Sequence, residues 1–92
     1  MSHTTQEKEK RKLLMRVRRI RGQLDAVERR IEENATCAAI LQQVTACRGA
    51  LDGFIAEVIE DHIRSHLVEE KDRARVTKAA EELIGIVHSY LT

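Results

Sequence analysis

Two histidines four residues apart, in the run His62-Ile63-Arg64-Ser65-His66, make the chain's plainest offer of chemistry. On an α-helix, residues i and i+4 lie one above the other, so imidazoles at that spacing can present nitrogen donors to one cation. The plainer reading is two solvated surface side chains, since a chain with four histidines reaches this spacing by chance easily. The glutamate of an H-E-x-x-H zinc-protease helix is missing, because Ile63 stands in its place, so hydrolysis is not indicated. No other acid, base or nucleophile joins the pair in a pattern that would make an enzyme.

The other soft donors are Cys37 and Cys47. Ten residues of helix separate them by roughly 15 Å of rise, too far for a disulfide, and free thiols fit a reducing compartment. Cys37 opens a helical stretch, a position that suits a reactive or metal-binding sulfur. Cys47 falls among apolar neighbours and reads as a small core residue. His88, near the C-terminal turn, reads as a partly exposed side chain.

Three helical patterns must position these groups. The first runs through Leu13, Val17, Ile20, Leu24, Val27 and Ile31, a heptad-like seam of alternating fours and threes. After Glu32-Glu33-Asn34, either Asn34 or Thr36 can cap a second helix. That helix carries Ile40, Leu41, Val44, Cys47, Leu51, Phe54, Ile55, Val58, Ile59 and Ile63, and extends toward Leu67. A charged connection, 69–73, leads to a third helix with Val76, Ala80, Leu83, Val87 and Leu91 on one face. Without proline, with one Tyr and one Phe, and with 34% charged residues, the chain is expected to be all-α. A single domain spanning 1–92 is expected, with 1–7 a flexible arm. Neither a secretory h-region nor an apolar run of about 18 residues is present, which points to the cytoplasm and to no membrane partner.

Geometry bears on how the donors meet. Along one straight helix Cys37 and His62 stand about 37 Å apart, so one protomer cannot close a site from them. If the second helix pairs antiparallel with its copy about a two-fold axis near residue 50, Cys37 faces residue 64 of the partner. The run Gly49-Ala50-Leu51-Asp52-Gly53 at that crossing supplies small residues for close approach. A helix of about thirty residues, some 45 Å long, also exceeds what a 92-residue chain covers alone, so self-association is expected.

Charge divides the chain. Residues 1–30 hold ten Lys or Arg against four acids, +6, and the rest hold six against eleven, −5. Arg16, Arg18, Arg19 and Arg21 flank the first seam, preceded by Lys8, Lys10, Arg11 and Lys12. A charge run is usually a solvated face. An imbalance of this size repeated by symmetry would instead form a footprint for the phosphate backbone of double-stranded DNA. Because both long helices exceed a helix-turn-helix and no short recognition helix follows a tight turn, backbone and shape readout should outweigh base contacts.

The successive runs Arg16-Val17-Arg18-Arg19-Ile20-Arg21-Gly22-Gln23, Cys37-Ala38-Ala39-Ile40-Leu41-Gln42-Gln43, Arg48-Gly49-Ala50 and His62 to His66 resemble the signatures of the CsoR/RcnR repressors. The resemblance spans residues 3 to about 67. It implies three helices per chain, an antiparallel four-helix-bundle dimer paired into a flat homotetramer, and metal sites shared between subunits. It also implies a transcriptional repressor, not an enzyme, that binds operator DNA when metal-free and releases it on binding its effector, derepressing an efflux gene. RNA is not an expected partner. Arg16 and Arg19 match DNA-contacting positions of the family.

Within the family, Cys37, His62 and His66, joined by His3, resemble the ligand set of the nickel/cobalt, RcnR-type branch. Copper(I) sensors carry Cys where His66 stands and Tyr where Thr36 stands. Three imidazoles, one thiolate and the Ser2 amine would suit nickel or cobalt, with zinc or copper able to bind in vitro. The other branch that fits is the formaldehyde-sensing, FrmR-type one, in which the cysteine matching Cys37 and the N-terminal amine are cross-linked by the aldehyde. Its members usually carry Pro at position 2, where this chain has Ser2, but their Arg-rich first helix is very similar.

Overall fold

The computed structural model describes residues 3–91, with side chains from Gln6 onward, and is helical nearly throughout. Helix α1 spans His3–Glu32 and α2 spans Cys37–Ile63, continued without a break by a π-helical segment, Arg64–Val68. Helix α3, Arg73–Ile86, is likewise continued by a π-helical segment, Val87–Leu91. Among the described residues there is no strand. Helix α1 begins at His3, within the stretch 1–7 expected above to be an arm: no Gly or Pro stands between His3 and Lys8, so the helix can propagate outward. Met1 and Ser2 lie outside the described residues.

The junction between α1 and α2 uses two different devices. Asn34 adopts a left-handed conformation, φ 58°. Its N–H donates to the Ile31 carbonyl at 3.0 Å and the Ala35 N–H donates to the Arg30 carbonyl at 2.9 Å. These are the paired bonds of a Schellman stop, and Asn tolerates the left-handed position better than most residues. Two residues later the Thr36 hydroxyl accepts from the Ala39 N–H at 3.1 Å and starts α2. Of the two cap candidates Thr36 therefore starts the second helix, while Asn34 ends the first.

The chain divides into one unit ending at Val58 and another beginning at Ile59. In the first, α1 and α2 form an antiparallel hairpin: Lys12 and Arg16 meet Glu57, whereas Gln23 meets Gln43 through a 2.7 Å amide hydrogen bond. The facing residues on α1 include Leu13, Val17, Ile20 and Val27; those on α2 follow Ile40, Gln43, Cys47, Ala50, Phe54 and Glu57. The long apolar set read from the sequence thus splits into two stripes. Leu41, Val44, Leu51, Ile55 and Val58 form the second and are exposed in the single chain, as are Leu24 and Ile31 of the α1 seam. In the second unit, α3 packs on the π-helical segment 64–68, with Val76, Ala80 and Leu83 half-buried and Ala79 buried. Asp72 caps α3, its carboxylate accepting from the Ala74 N–H at 2.9 Å.

No described helix is long and apolar enough to cross a membrane.

Candidate functional site

The histidine pair stands where the helical winding changes. His62 is the penultimate residue of α2 and His66 lies in the π-helical segment, closed by the Glu69 N–H donating to the Arg64 carbonyl five residues back at 2.9 Å. Such widened turns are frequent at functional sites. The imidazole centroids are 4.9 Å apart with planes inclined by 51°, so both rings occupy one face. His62 Nε2 lies 3.5 Å from the Ala79 carbonyl oxygen on α3. An N–H donated there leaves Nδ1 free as a donor to a cation, the arrangement in which a ligating histidine is oriented by a backbone carbonyl. Between them, Arg64 turns to Glu60, one turn back, at 3.0 Å. The Glu60 carboxylate, by hydrogen bond and by charge, raises the Arg64 pKa further.

The rings open on a cavity of about 220 Å³. Glu70 from the connection and Arg75, Lys78, Ala79 and Glu82 from α3 complete its lining. The lining carries two carboxylates, Glu70 and Glu82, and two cations, Arg75 and Lys78, beside the two imidazoles. Imidazole nitrogen is the donor type that a borderline divalent ion such as Ni(II), Co(II) or Zn(II) takes. Among the described residues, no group of three or more His, Cys, Asp or Glu is gathered closely enough to hold such an ion.

Of the donors singled out from the sequence, the structure brings His62 and His66 together and does not add Cys37 to them. Cys37 is the first residue of α2, exposed and free; Cys47, also free, is buried. The side chain of His3 and the Ser2 amine lie outside the described residues.

Among the α1 arginines the positions differ. Arg18, Arg19 and Arg21 are exposed, whereas Arg16 turns toward α2, where its Nη2 lies 3.5 Å from Glu57 Oε2. Lys12 Nζ lies 3.0 Å from Glu57 Oε1. Glu57 itself is buried. The sequence reading passed over it, although a signal was present: Glu57 continues the spacing Cys47, Ala50, Phe54 and is an acid in a half-buried stripe.

Residues 9–89 match the profile of a family described as metal-sensitive transcriptional repressors. The transcriptional repressor RcnR of Salmonella paratyphi B is 38% identical over 91 residues, covering 99% of each chain. A Serratia marcescens protein known by its place in the bioA 5′ region is 42% identical over 92 residues, again with 99% of each chain covered. Among solved structures, a glutamate-to-histidine variant of the formaldehyde-responsive regulator FrmR from Salmonella enterica serovar Typhimurium superposes with a TM-score of 0.79. It is 40% identical, covering 90% of this chain and 94% of that one.

Proposed function

The chain belongs to the metal-sensitive transcriptional repressor family, and from that premise we propose that it represses by binding operator DNA through α1 and lets go when Ni(II) or Co(II) is bound. Membership makes it a DNA-acting repressor that self-associates, and not an enzyme. The observation that carries the metal reading is the His62–His66 pair, 4.9 Å between centroids, with the Ala79 carbonyl 3.5 Å from His62 Nε2.

In this reading two copies of α2 pair antiparallel in a four-helix dimer, two dimers form a flat tetramer, and each site takes Cys37 from one protomer and His62 and His66 from its partner. His3 and the Ser2 amine complete the set. The exposed stripe Leu41, Val44, Leu51, Ile55 and Val58 supports the pairing, because an apolar face of that length is expected to be covered. Exposed Cys37 supports a ligand drawn from another chain. An ion held by these residues would tie the two protomers together; the side chains would supply its selectivity, since imidazole and one thiolate favour nickel or cobalt over the harder magnesium or calcium. Arg16, Arg18, Arg19 and Arg21 supply the attraction to phosphate. A working place in the cytoplasm follows from that role.

A second reading, release by formaldehyde, is favoured by the likeness to the formaldehyde-responsive regulator and by an exposed thiol at Cys37. Cobalt absorption tests the first reading at the site itself. A thiolate-to-Co(II) charge-transfer band that vanishes in Cys37→Ala is expected, and a Co(II) complex without any thiolate band would contradict the ligand set.

A further inference from the structure

The charged cluster on the α1–α2 hairpin has a register of its own. Lys12 and Arg16 are one turn apart on α1, and Gly53 and Glu57 are one turn apart on α2. Both described ion pairs joining the two helices end on Glu57, at 3.0 Å from Lys12 and 3.5 Å from Arg16. Arg16 reaches it by passing over Gly53, where a Cβ would stand 3.1 Å from Arg16 Nη1. The Glu57 side chain is only 11% exposed, while those of Lys12 and Arg16 remain 54% and 36% exposed. A carboxylate so withdrawn from water needs partners, and these cations supply them. The cations are not consumed in return. Each keeps an outward part, and a guanidinium engaged at one edge retains N–H groups for a second anion.

Resting on the reading of α1 as the phosphate-facing element, we propose that Glu57 is a positioning residue for DNA recognition, holding Lys12 and Arg16 in the register in which they meet the backbone. A free arginine or lysine loses rotamer freedom when it clamps a phosphate; one already held by a carboxylate loses less. Plain charge counting gives the opposite sign. A negative charge beside two DNA-facing cations should oppose binding, and its removal should tighten the complex. The two effects are separable because they predict opposite changes.

The test is Glu57→Gln in the full chain, measured by fluorescence anisotropy on a duplex carrying the region upstream of its own gene, from about 50 to 200 mM salt. Positioning predicts a loss of about threefold to tenfold in affinity and a salt slope shallower by about one, despite the gained positive charge. Glu57→Asp, which keeps the charge but retracts it by a methylene, falls between Glu57→Gln and the parent. In an Arg16→Ala background, Glu57→Gln adds much less than it does alone, because the two act as one unit. Tighter or unchanged binding by Glu57→Gln, with helicity and tetramer retained, overturns the proposal. If Glu57→Gln does not fold, Glu57→Asp carries the same comparison: weaker binding with a shallower slope supports positioning, and parental binding overturns it. Arg19→Ala separates the two levels. If it weakens binding while the Glu57 variants do not, positioning alone falls. If it too leaves binding unchanged, the reading of α1 falls and the proposal with it.

Discussion

The two units of the chain solve opposite problems with charge. In the hairpin ending at Val58, a buried acid is matched by Lys12 and Arg16, and the excess of cations on α1 stays in water. In the unit beginning at Ile59, carboxylates and cations around the cavity balance in number beside the histidine pair. An excess of exposed charge acts over a Debye length and tolerates the loss of any one member. A coordination shell acts at about 2 Å and loses most of its affinity with one ligand. Damage should therefore be graded at the first and all-or-none at the second.

The largest effect is expected at the donors. Neither Cys37→Ala nor His62→Ala/His66→Ala should hold Ni(II) or Co(II) tightly as a homo-oligomer. The loss should exceed about a hundredfold, since even supporting residues of a metal site are worth up to that much. Co-refolding the two variants should restore one high-affinity site per mixed dimer, because Cys37 of one then meets both histidines of the other. Calorimetric stoichiometry reads this. No recovery in verified heterodimers would mean that one chain supplies every ligand.

A smaller, graded effect is expected on α1. Arg19→Ala and Arg16→Ala should each lower DNA affinity and flatten its salt dependence by about one per contact removed, leaving metal stoichiometry unchanged. The structure sharpens the pair into a contrast. Arg19 is exposed, so its loss should leave Tm unaltered, whereas Arg16→Ala strips a partner from buried Glu57 and should cost about 1–2 kcal/mol in denaturant melts. Equal melting of the two variants would remove Arg16 from the packing of the hairpin.

The caps give the next comparison. Asp72→Ala and Thr36→Ala each remove a side-chain acceptor from a helix start and should cost about 1 kcal/mol. Asp72 serves α3, which carries the Ala79 carbonyl and one wall of the cavity, so its loss should weaken metal binding while leaving the affinity of metal-free protein for DNA in place. A fall in metal-free DNA binding with unchanged metal affinity would contradict that assignment. The smallest effect belongs to Asn34→Gly, which keeps the left-handed stop and should shift stability by only a few tenths of a kcal/mol, whereas Asn34→Ala should cost about 1 kcal/mol.

Much of this fold is legible in the order of residue types. Helical periods placed all three helices, because long amphipathic patterns without proline leave few alternatives, and i,i+4 spacing alone put His62 and His66 on one face. The junction was half-legible. Asn and Thr both favour helix ends, but the φ of 58° that makes Asn34 a stop depends on bonds back to Ile31 and Arg30. The division of α2 into two stripes was not legible, since Leu41 and Ile40 are equally apolar and only α1 decides which is covered. Glu57 was half-legible: it falls at the spacing of Cys47, Ala50 and Phe54, but only the fold brings Lys12 and Arg16 over it. Gly53 was read as a place for helix backbones to meet, and within the chain it is the side chain of Arg16 that uses the space. The change to π-helical winding at Arg64 leaves no mark in the pattern of residue types.

One titration bears most directly on the claim that this repressor answers to metal. The full-length protein is loaded onto fluorescent duplex from its own upstream region, and anisotropy is followed while Ni(II), Co(II) or formaldehyde is added separately. The account predicts that near-stoichiometric Ni(II) or Co(II) releases the DNA, that the His62→Ala/His66→Ala variant stays bound, and that DNA weakens metal binding by the same factor. Release by formaldehyde at concentrations where neither metal acts would contradict it and give the site to the aldehyde.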